Sequence, residues 1–454
     1  MDQEKRARRQ SLRVIISEIV MVVAVVLMVI ILALVVSGYW LNSDFTVERQ
    51  GMLQVSSIPT GASVAVDGDA PWYQRTDTSK VLSSTSHTVQ LAKDGYDSWA
   101  KTVNISEGLL YRLRYPRLFL KDRSPEVVLK DFTGTPSISK DASQMILYNN
   151  TTIWSLVNLE SDTLSVRPLD FTAILPELAS ATVRSIEWNN DNNRVLVQFV
   201  SNVGVNWALI DIKTPANSIN LTKAFSADFD EMKVFDNSAG NLLALRGGNL
   251  YKIDVSGRQI SAVLAEGVVS YGFYGQEIIY ATKSGVNILK NPSSDPKVFY
   301  EFAPGTTPSS IKVFLNRFYD AKYIAVVADD NIFVYNEHDG EEILSASLSF
   351  TPEAALITNG DFIFARAGLS VSTLDMESHT VATWQLSSAD DGWLDEHMIY
   401  EITNEGELSV YDFDGLNHRA LATNVASHLP VAITNDKWLY YFNNSGLIRE
   451  KIIE

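Results

Sequence analysis

Cysteine is absent from this 454-residue chain. Its absence excludes disulfide bonds, thiol nucleophiles, cysteine-based zinc sites and iron–sulfur clusters. A protein exported without disulfides depends on its hydrophobic core for stability, which fits a prokaryotic envelope better than a eukaryotic secretory route. The Asn-x-Ser/Thr triplets are therefore interpreted as incidental; they begin at Asn104, Asn150, Asn220 and Asn443.

Positive charge is scarce, with 37 Lys and Arg against 54 Asp and Glu, so the net charge is −17. Broad nucleic-acid binding needs a basic surface and is therefore excluded. The acidic balance favours solubility and affinity for cations or basic partners. A hydrophobic content of 46% with 20% charged residues is typical of a chain that folds.

Motifs of catalysis and metal binding are also lacking. The six histidines are scattered without a His-x-x-x-His pair, and we interpret them as surface or strand residues. Acidic spots do not complete a calcium-loop pattern and are interpreted as solvated turns; they are Asp228 with Asp230 and Glu231, Asp329 with Asp330, Asp390 with Asp391, and Asp412 with Asp414. No catalytic, cofactor or metal residue is predicted, although carboxylates from distant segments can still converge in a fold.

One long apolar run is present, from Ile19 to Val36. It is long enough for a transmembrane helix, which we predict over residues 14–40. The basic tail over 1–13 predicts a cytoplasmic N-terminus, so everything after Trp40 is expected outside the membrane. A cleaved signal peptide is the alternative, but its apolar region is usually shorter. Residues 41–49 are expected to form a linker.

Residues 50–120 alternate apolar and polar positions around tight turns, which predicts a small β domain. Pro59 and Gly61 suit a turn, and Asp67-Gly68 is a hairpin signal. This segment resembles the PEGA domain, a small β-sandwich, although Thr60 stands where that family has Glu. The resemblance implies an extracytoplasmic accessory domain without catalytic residues. It rests mainly on these structural positions: Pro59, Gly61, Ala62, Asp67, Gly68, Gly95, Tyr96 and Trp99.

Residues 121–454 repeat one unit: a short apolar strand, a polar turn and a second strand. Examples are Met145–Tyr148 with Ile153–Val157, and Val195–Phe199 with Trp207–Asp211. The period of roughly 36 to 50 residues is that of four-stranded propeller blades. We therefore predict a mainly β protein with a β-propeller similar to WD-repeat or quinoprotein domains. Eight blades are favoured over seven, and a tandem of β-sandwiches is the alternative.

Two details of the propeller follow from the same pattern. The segment from Glu126 to Phe132 is expected to supply the outer strand of the last blade and close the ring, which removes exposed sheet edges. Five tryptophans are expected to be packing residues of the blades, because most of them lie in predicted strands; they are Trp72, Trp154, Trp207, Trp393 and Trp438.

These observations predict a membrane-anchored, surface-displayed and non-catalytic binding or scaffold protein of a prokaryotic envelope. Its expected partner is an envelope protein or polysaccharide, with neither nucleic acid nor a small-molecule cofactor. A propeller enzyme acting on envelope glycans is the main alternative, and an assembly factor of a membrane complex is another. A cluster of carboxylates, His or Arg converging at one end of the propeller channel would favour the enzyme, and a channel lined by small and apolar residues would exclude it.

Overall fold

The chain divides into two units, Met1–Lys121 and Asp122–Glu454. The structure is a computed structural model. It describes residues 18–33, 39–41, 47–71, 73–130, 132–161, 164–235, 240–303, 305, 307–358 and 361–454. The basic tail over 1–13 lies outside these ranges, as do residues 14–17 and 34–38 of the predicted transmembrane segment.

Helix α1 spans residues 18–33, where the sequence is apolar apart from its first residue. Across the described part of the chain, no helix has both the length and the hydropathy to cross a membrane. Tyr39 and Trp40 were expected at the end of the transmembrane segment, but they lie in strand β1 (Tyr39–Leu41). Strand β1 pairs with β2 (Val47–Val55), so the predicted linker over 41–49 is wrong at both ends. Aromatic residues favour strands, which accounts for β1.

The first unit is a β-sandwich of two sheets. In one sheet, β2 pairs antiparallel with β1 and β4 (Thr78–Ser83) and parallel with β7 (Leu110–Leu113). The other sheet contains β3 (Ser63–Val66), β5 (Ser86–Ala92) and β6 (Trp99–Asn104) in the order β3-β5-β6. Alternate residues of these strands point inward, so Leu53, Val64, Leu91 and Trp99 are buried in one core.

Eight four-stranded antiparallel sheets, here called blades 1 to 8, form the described part of the second unit. Blade 1 contains β9 (Thr135–Ile138), β10 (Gln144–Tyr148), β11 (Ile153–Asn158) and β12 (Ser165–Asp170). Blade 2 contains β13 (Thr182–Trp188), β14 (Arg194–Ser201), β15 (Gly204–Asp211) and β16 (Ile219–Asn220). Blade 3 contains β17 (Glu231–Val234), β18 (Asn241–Arg246), β19 (Asn249–Asp254) and β20 (Gln259–Ile260). Blade 4 contains β21 (Val268–Tyr274), β22 (Glu277–Thr282), β23 (Gly285–Leu289) and β24 (Lys297–Glu301).

The remaining blades continue the same order. Blade 5 contains β25 (Ile311–Phe318), β26 (Ala321–Ala328), β27 (Asn331–Asn336) and β28 (Glu342–Ser347). Blade 6 contains β29 (Ala354–Thr358), β30 (Phe362–Ala367), β31 (Ser370–Asp375) and β32 (Thr380–Gln385). Blade 7 contains β33 (Asp391–Trp393), β34 (Met398–Ile402), β35 (Leu408–Asp412) and β36 (Arg419–Ala422). Blade 8 contains β37 (Ala432–Thr434), β38 (Trp438–Asn443) and β39 (Gly446–Lys451), and its fourth strand is β8 (Glu126–Leu129). A short helix α2 (Leu221–Phe225) follows β16.

Blade 8 combines the two ends of the unit, because β39 pairs antiparallel with β8. The prediction that the segment from Glu126 closes the ring is confirmed. Arg449 forms an ion pair with Glu126, and Arg123 forms one with Glu450. A buried cluster that includes Met145 and Tyr440 joins blade 8 to blade 1. Backbone hydrogen bonds between β39 and β8, ion pairs and apolar packing therefore close the ring together.

Apolar side chains between neighbouring blades form most of the core. One cluster joins blades 1 and 2 through Trp154, Phe171 and Val197, and a second joins blades 2 and 3 through Trp207 and Met232. Trp154 and Trp207 are buried as predicted, whereas Trp393 and Trp438 are partly exposed and Trp72 lies outside the described residues.

Candidate functional site

The structural positions of the first unit lie in turns and in the core. Gly61 and Gly68 have φ of +79° and +84°, a backbone region that side chains other than glycine rarely adopt. Gly95 also has positive φ, and Pro59 precedes the first of these turns. Ala62, Tyr96 and Trp99 are buried. These residues position the strands, and the predicted core role of Tyr96 and Trp99 agrees with their burial.

Besides its place in the turn, Asp67 forms hydrogen bonds to β5 that the local sequence pattern did not predict. Its carboxylate lies 2.6 Å from Nδ1 of His87 and accepts the N–H of Thr88. Both hydrogen bonds hold the pKa of Asp67 below its usual value, the one from His87 most. His87 is buried, and its Nε2 lies 2.9 Å from the carbonyl oxygen of Ser83. His87 therefore ties the turn after β3 to β5, and it lies in a strand as the sequence predicted, although its buried contact with Asp67 was not foreseen.

In the propeller, a cavity of about 510 Å³ lies where the first strands of blades 1 to 4 turn into their second strands. We call it the channel-mouth cavity. These residues line it: Lys140, Asn190, Val234, Phe235, Phe273, Tyr274, Gly275 and Gln276. These lining residues come from four different blades, and for this reason no local sequence motif indicated the cavity.

The channel-mouth cavity combines an aromatic side with a polar rim. Phe235 is buried, and its ring meets that of Phe273 edge to face at a centroid distance of 5.3 Å. Nζ of Lys140 donates to Oδ1 of Asn190 at 3.0 Å. An apolar surface with a few fixed polar groups is the usual composition of a ligand site. The cavity can therefore hold an amphipathic group rather than a purely ionic one.

Charged side chains gather beside the cavity on the first strands of blades 2 to 4. Nζ of Lys233 lies 3.0 Å from a carboxylate oxygen of Glu231, donates to the carbonyl oxygen of Tyr271, and sits over the Tyr271 ring. Burial raises the pKa of Glu187, while the charges of Lys140 and Lys233 lower it and that of Glu231 raises it. Burial also raises the pKa of the Tyr271 hydroxyl, and the charges of Glu231 and Glu187 add to this.

A second polar centre lies between blades 6 and 7, and we call it the Asp391 centre: Arg366, Ser387, Asp391, Glu401 and Tyr411. The Asp391 side chain is 4% exposed and forms an ion pair with Arg366. Burial raises the pKa of Asp391, with further contributions from Asp390 and Glu401, while Arg366 lowers it. Glu401 is 1% exposed and accepts hydrogen bonds from the Ser387 N–H and the Tyr411 hydroxyl at 2.8 and 2.6 Å.

The acidic residues that were expected in solvated turns lie in two kinds of environment, exposed turns and buried positions. Asp329 accepts hydrogen bonds from the backbone of Ser309 and Ser310, as expected of a turn residue. The solvated-turn interpretation is wrong for Asp391 and for Asp412, which is 1% exposed and accepts from Asn417 at 2.8 Å. Asp391 is covered by Arg366 of blade 6, whereas Asp412 is held within blade 7 by Asn417. Among the described residues, no three His, Asp or Glu side chains gather as a metal site would require.

Comparison with known proteins identifies the two units separately. Residues 50–116 match the PEGA domain family. The second unit is similar to solved β-propellers, among them the C-terminal WD40 domain of Sif2, at 12% identity and a TM-score of 0.50; the match covers 73% of this chain and 98% of that one. The apo structure of AztD from Citrobacter koseri is similar at 10% identity and a TM-score of 0.43, covering 82% and 97%. No curated protein matches the chain in sequence.

The class of protein follows from these matches and the geometry. The chain carries a PEGA domain followed by a WD40-like β-propeller, as the sequence predicted. At 12% identity the likeness to Sif2 shows the fold alone, so function has to be argued from the residues of the site.

Proposed function

We propose that this protein is an extracytoplasmic binding or scaffold protein of a prokaryotic envelope, with its propeller presenting the recognition surface. The channel-mouth cavity is the observation that carries the proposal, because it joins aromatic side chains to a polar rim at one end of the ring. The PEGA domain supports the extracytoplasmic location, since the resemblance implies an accessory envelope module. The absence of cysteine agrees with a prokaryotic envelope.

Recognition at the cavity is tested with Tyr274→Ala in the full chain. The variant removes an aromatic wall, so we expect retention of an envelope protein or polysaccharide to fall about tenfold, a usual loss for an aromatic anchor. The measurement compares ligand retained from fractionated envelope by immobilised wild type and variant. Tyr73→Ala is the matched control, because Tyr73 is a tyrosine of the first unit that is 71% exposed and does not line the cavity. Equal retention by wild type and Tyr274→Ala would reject the cavity as the recognition site.

The proposal includes a membrane anchor over residues 14–40, with the N-terminus in the cytoplasm. The apolar run from Ile19 to Val36 and the preceding basic residues support it. In intact cells, added protease is expected to degrade the chain beyond Trp40, and alkaline carbonate should leave the full chain in the membrane pellet. A chain released by carbonate, or fully protected from protease, would contradict the anchor and its orientation.

The Asp391 centre favours a second candidate function, a hydrolase or lyase acting on envelope glycans. A desolvated carboxyl with a raised pKa beside a second carboxylate is an arrangement that acid–base catalysis uses. This function predicts release of reducing ends or unsaturated sugars from envelope polysaccharide, abolished by Asp391→Asn and by Glu401→Gln. Product release unchanged in both variants would eliminate it.

A further inference from the structure

A second cavity, of about 260 Å³, lies between blades 2 and 3 of the propeller. We call it the arginine pocket, because Arg194 and Arg258 line it. Its floor is apolar, since Leu209, Ile219 and Val255 also line it and pack in the cluster that joins these two blades. In the described part of the chain, no residue lines both this pocket and the channel-mouth cavity. The arginine pocket is therefore a separate concavity with a packed base.

Two neighbouring blades supply the polar side of the arginine pocket. Arg194 is the first residue of β14 in blade 2, and Asn217 lies shortly before β16 of the same blade. Ser256 and Arg258 lie between β19 and β20 of blade 3. The two arginines thus reach one cavity from different blades, so their placement depends on how the blades pack.

Asp211 brings a negative charge to the same lining, and the structure shows what holds that charge. One carboxylate oxygen of Asp211 lies 3.3 Å from Nε of Arg194, and the other accepts the N–H of Thr214 at 2.8 Å. The Asp211 side chain is 12% exposed, whereas the Arg194 side chain is 32% exposed. The ion pair therefore fixes the Arg194 guanidinium group while leaving part of the side chain open.

Arg258 differs from Arg194 because its charge is not matched within the described ranges. It is exposed, and neither a hydrogen bond nor an ion pair joins it to another described residue. Asp254, four residues earlier, accepts the N–H of Gly257 instead. A lone exposed arginine is an ordinary surface residue, but this one lines a cavity that a second arginine also lines. The pocket therefore has a positive side in a chain whose net charge is −17.

We propose that the arginine pocket binds a phosphate ester, with Arg258 and Arg194 as the groups that pair with the phosphate. The planar guanidinium group matches the spacing of phosphate oxygens and pairs with two of them at once. Phosphate offers further acceptor oxygens to the Ser256 hydroxyl and the Asn217 amide, whereas a carboxylate has only two oxygens. The apolar floor suits the carbon skeleton of an ester. This inference goes beyond the proposed function, because it adds a second site on the propeller.

The direct test is titration of the full chain in detergent with glycerol 3-phosphate, followed by calorimetry or NMR. Saturable binding is expected, and acetate should bind at least about tenfold more weakly, because it has fewer acceptor oxygens and a single charge. Added salt should weaken binding, since the site is at the surface. Absence of saturable binding, or equal binding of acetate, would overturn the inference.

Variants separate the role of Arg258 from a general effect of charge. Arg258→Met should lower the affinity for glycerol 3-phosphate at least about tenfold. Arg258→Lys should restore only part of it, because an ammonium group keeps the charge but not the planar fork. Arg317→Met is the matched control, since it removes the same charge from an exposed ion pair of blade 5. Unchanged affinity in Arg258→Met, or equal losses in Arg258→Met and Arg317→Met, would reject the site.

The two cavities of the propeller can be told apart with the same probe. Tyr274→Ala should leave the affinity for glycerol 3-phosphate unchanged, because Tyr274 lines the channel-mouth cavity and not the arginine pocket. A loss of affinity in this variant would contradict a separate phosphate site. If glycerol 3-phosphate fails to bind while Tyr274→Ala still loses its envelope ligand, the phosphate inference fails and the proposed function stands.

Discussion

Two interfaces between blades of the same propeller differ in polarity. Between blades 1 and 2, buried apolar residues such as Trp154, Phe171 and Val197 fill the gap. The indole N–H of Trp154 donates to the carbonyl oxygens of Asn149 and Thr151, and that of Trp188 donates to the Ser137 hydroxyl. Both indole N–H groups at this interface thus have partners, and apolar packing fills the interface.

Between blades 6 and 7 the apolar cluster is small and the polar atoms are less well paired. Thr373 is fully buried, and neither its hydroxyl nor the indole N–H of Trp384 or Trp393 has a partner in the described part of the chain. The Arg366–Asp391 ion pair lies at the same interface. The contrast shows that the repeated architecture tolerates a polar interface between two blades, because larger apolar clusters between other blades and the closing strand hold the ring. Unpaired buried atoms mark it as a place for water or function.

The largest expected effect comes from the interface between blades 1 and 2. Trp154→Ala should lower the free energy of unfolding by about 3–5 kcal/mol, because it removes a side chain that is 1% exposed and leaves a cavity. Denaturant unfolding of the full chain measures it. Val203→Ala is the control, since Val203 is 71% exposed and its truncation should have little effect. A similarly small loss in both variants would show that this interface does not hold the ring.

Arg366→Met tests the polar interface and should cost about 2–3 kcal/mol of unfolding free energy, because Asp391 remains buried without its cation. Arg317→Met is the control, since its ion pair with Asp320 is exposed and its loss should be undetectable.

The loss in Arg366→Met should shrink in acid. Arg366 lowers the pKa of Asp391, so its removal lets burial raise that pKa further. The charged carboxyl then destabilises the fold at neutral pH, and this penalty disappears as the pH falls through the raised pKa. Unfolding midpoints at neutral and acidic pH measure the effect, and a pH-independent loss would argue against a buried charged Asp391.

Gly415→Ala should destabilise the protein by about 1–2 kcal/mol, because Gly415 has φ of +77° and an added Cβ would lie 2.6 Å from the Trp384 ring. Gly267→Ala is the matched control, with φ of +67° and no atom within 4 Å of the added Cβ. The difference between the two variants in thermal unfolding isolates the packing of Trp384. Identical losses would mean that the ring moves aside without penalty.

The smallest expected effects have opposite signs. Thr373→Val should raise the free energy of unfolding by up to about 1 kcal/mol, because it replaces an unpaired buried hydroxyl by a methyl group. Thr434→Val should lower it by about 1 kcal/mol, since the equally buried Thr434 hydroxyl donates to the carbonyl oxygen of Ala142 at 2.7 Å. The denaturant midpoints of the two variants, each compared with wild type, test whether their effects on stability have opposite signs. Destabilisation in Thr373→Val would reveal a bound partner, such as water, at this interface.

Much of the fold could be predicted because its signals are local. Alternation and turn residues around Gly61 and Asp67 indicated the PEGA domain, and paired apolar strands indicated the blades. Even the long-range pairing of β8 with β39 followed from counting strands, because one blade lacked its fourth. The end of the predicted transmembrane segment was wrong because Tyr39 and Trp40 suit both a membrane interface and a strand.

The candidate sites were not predictable in the same way. Asp391 and Asp329 each belong to a pair of adjacent Asp residues in the sequence, yet one is buried against Arg366 and the other binds backbone N–H groups in a turn. His87 meets Asp67 only through the register of β3 and β5. Each of these outcomes depends on which segment lies opposite, and a single sequence does not contain that information.

The sequence by itself determined the acidic charge, the absence of thiol chemistry, the PEGA turns and the repeating strands, since each depends on residue type and near neighbours. Only the tertiary structure decided that Lys140, Asn190, Phe235 and Tyr274 meet around one cavity, because they come from four different blades. The physical reason is that burial and electrostatic neighbours act across space, so the chemistry of a side chain is set after the ring has closed.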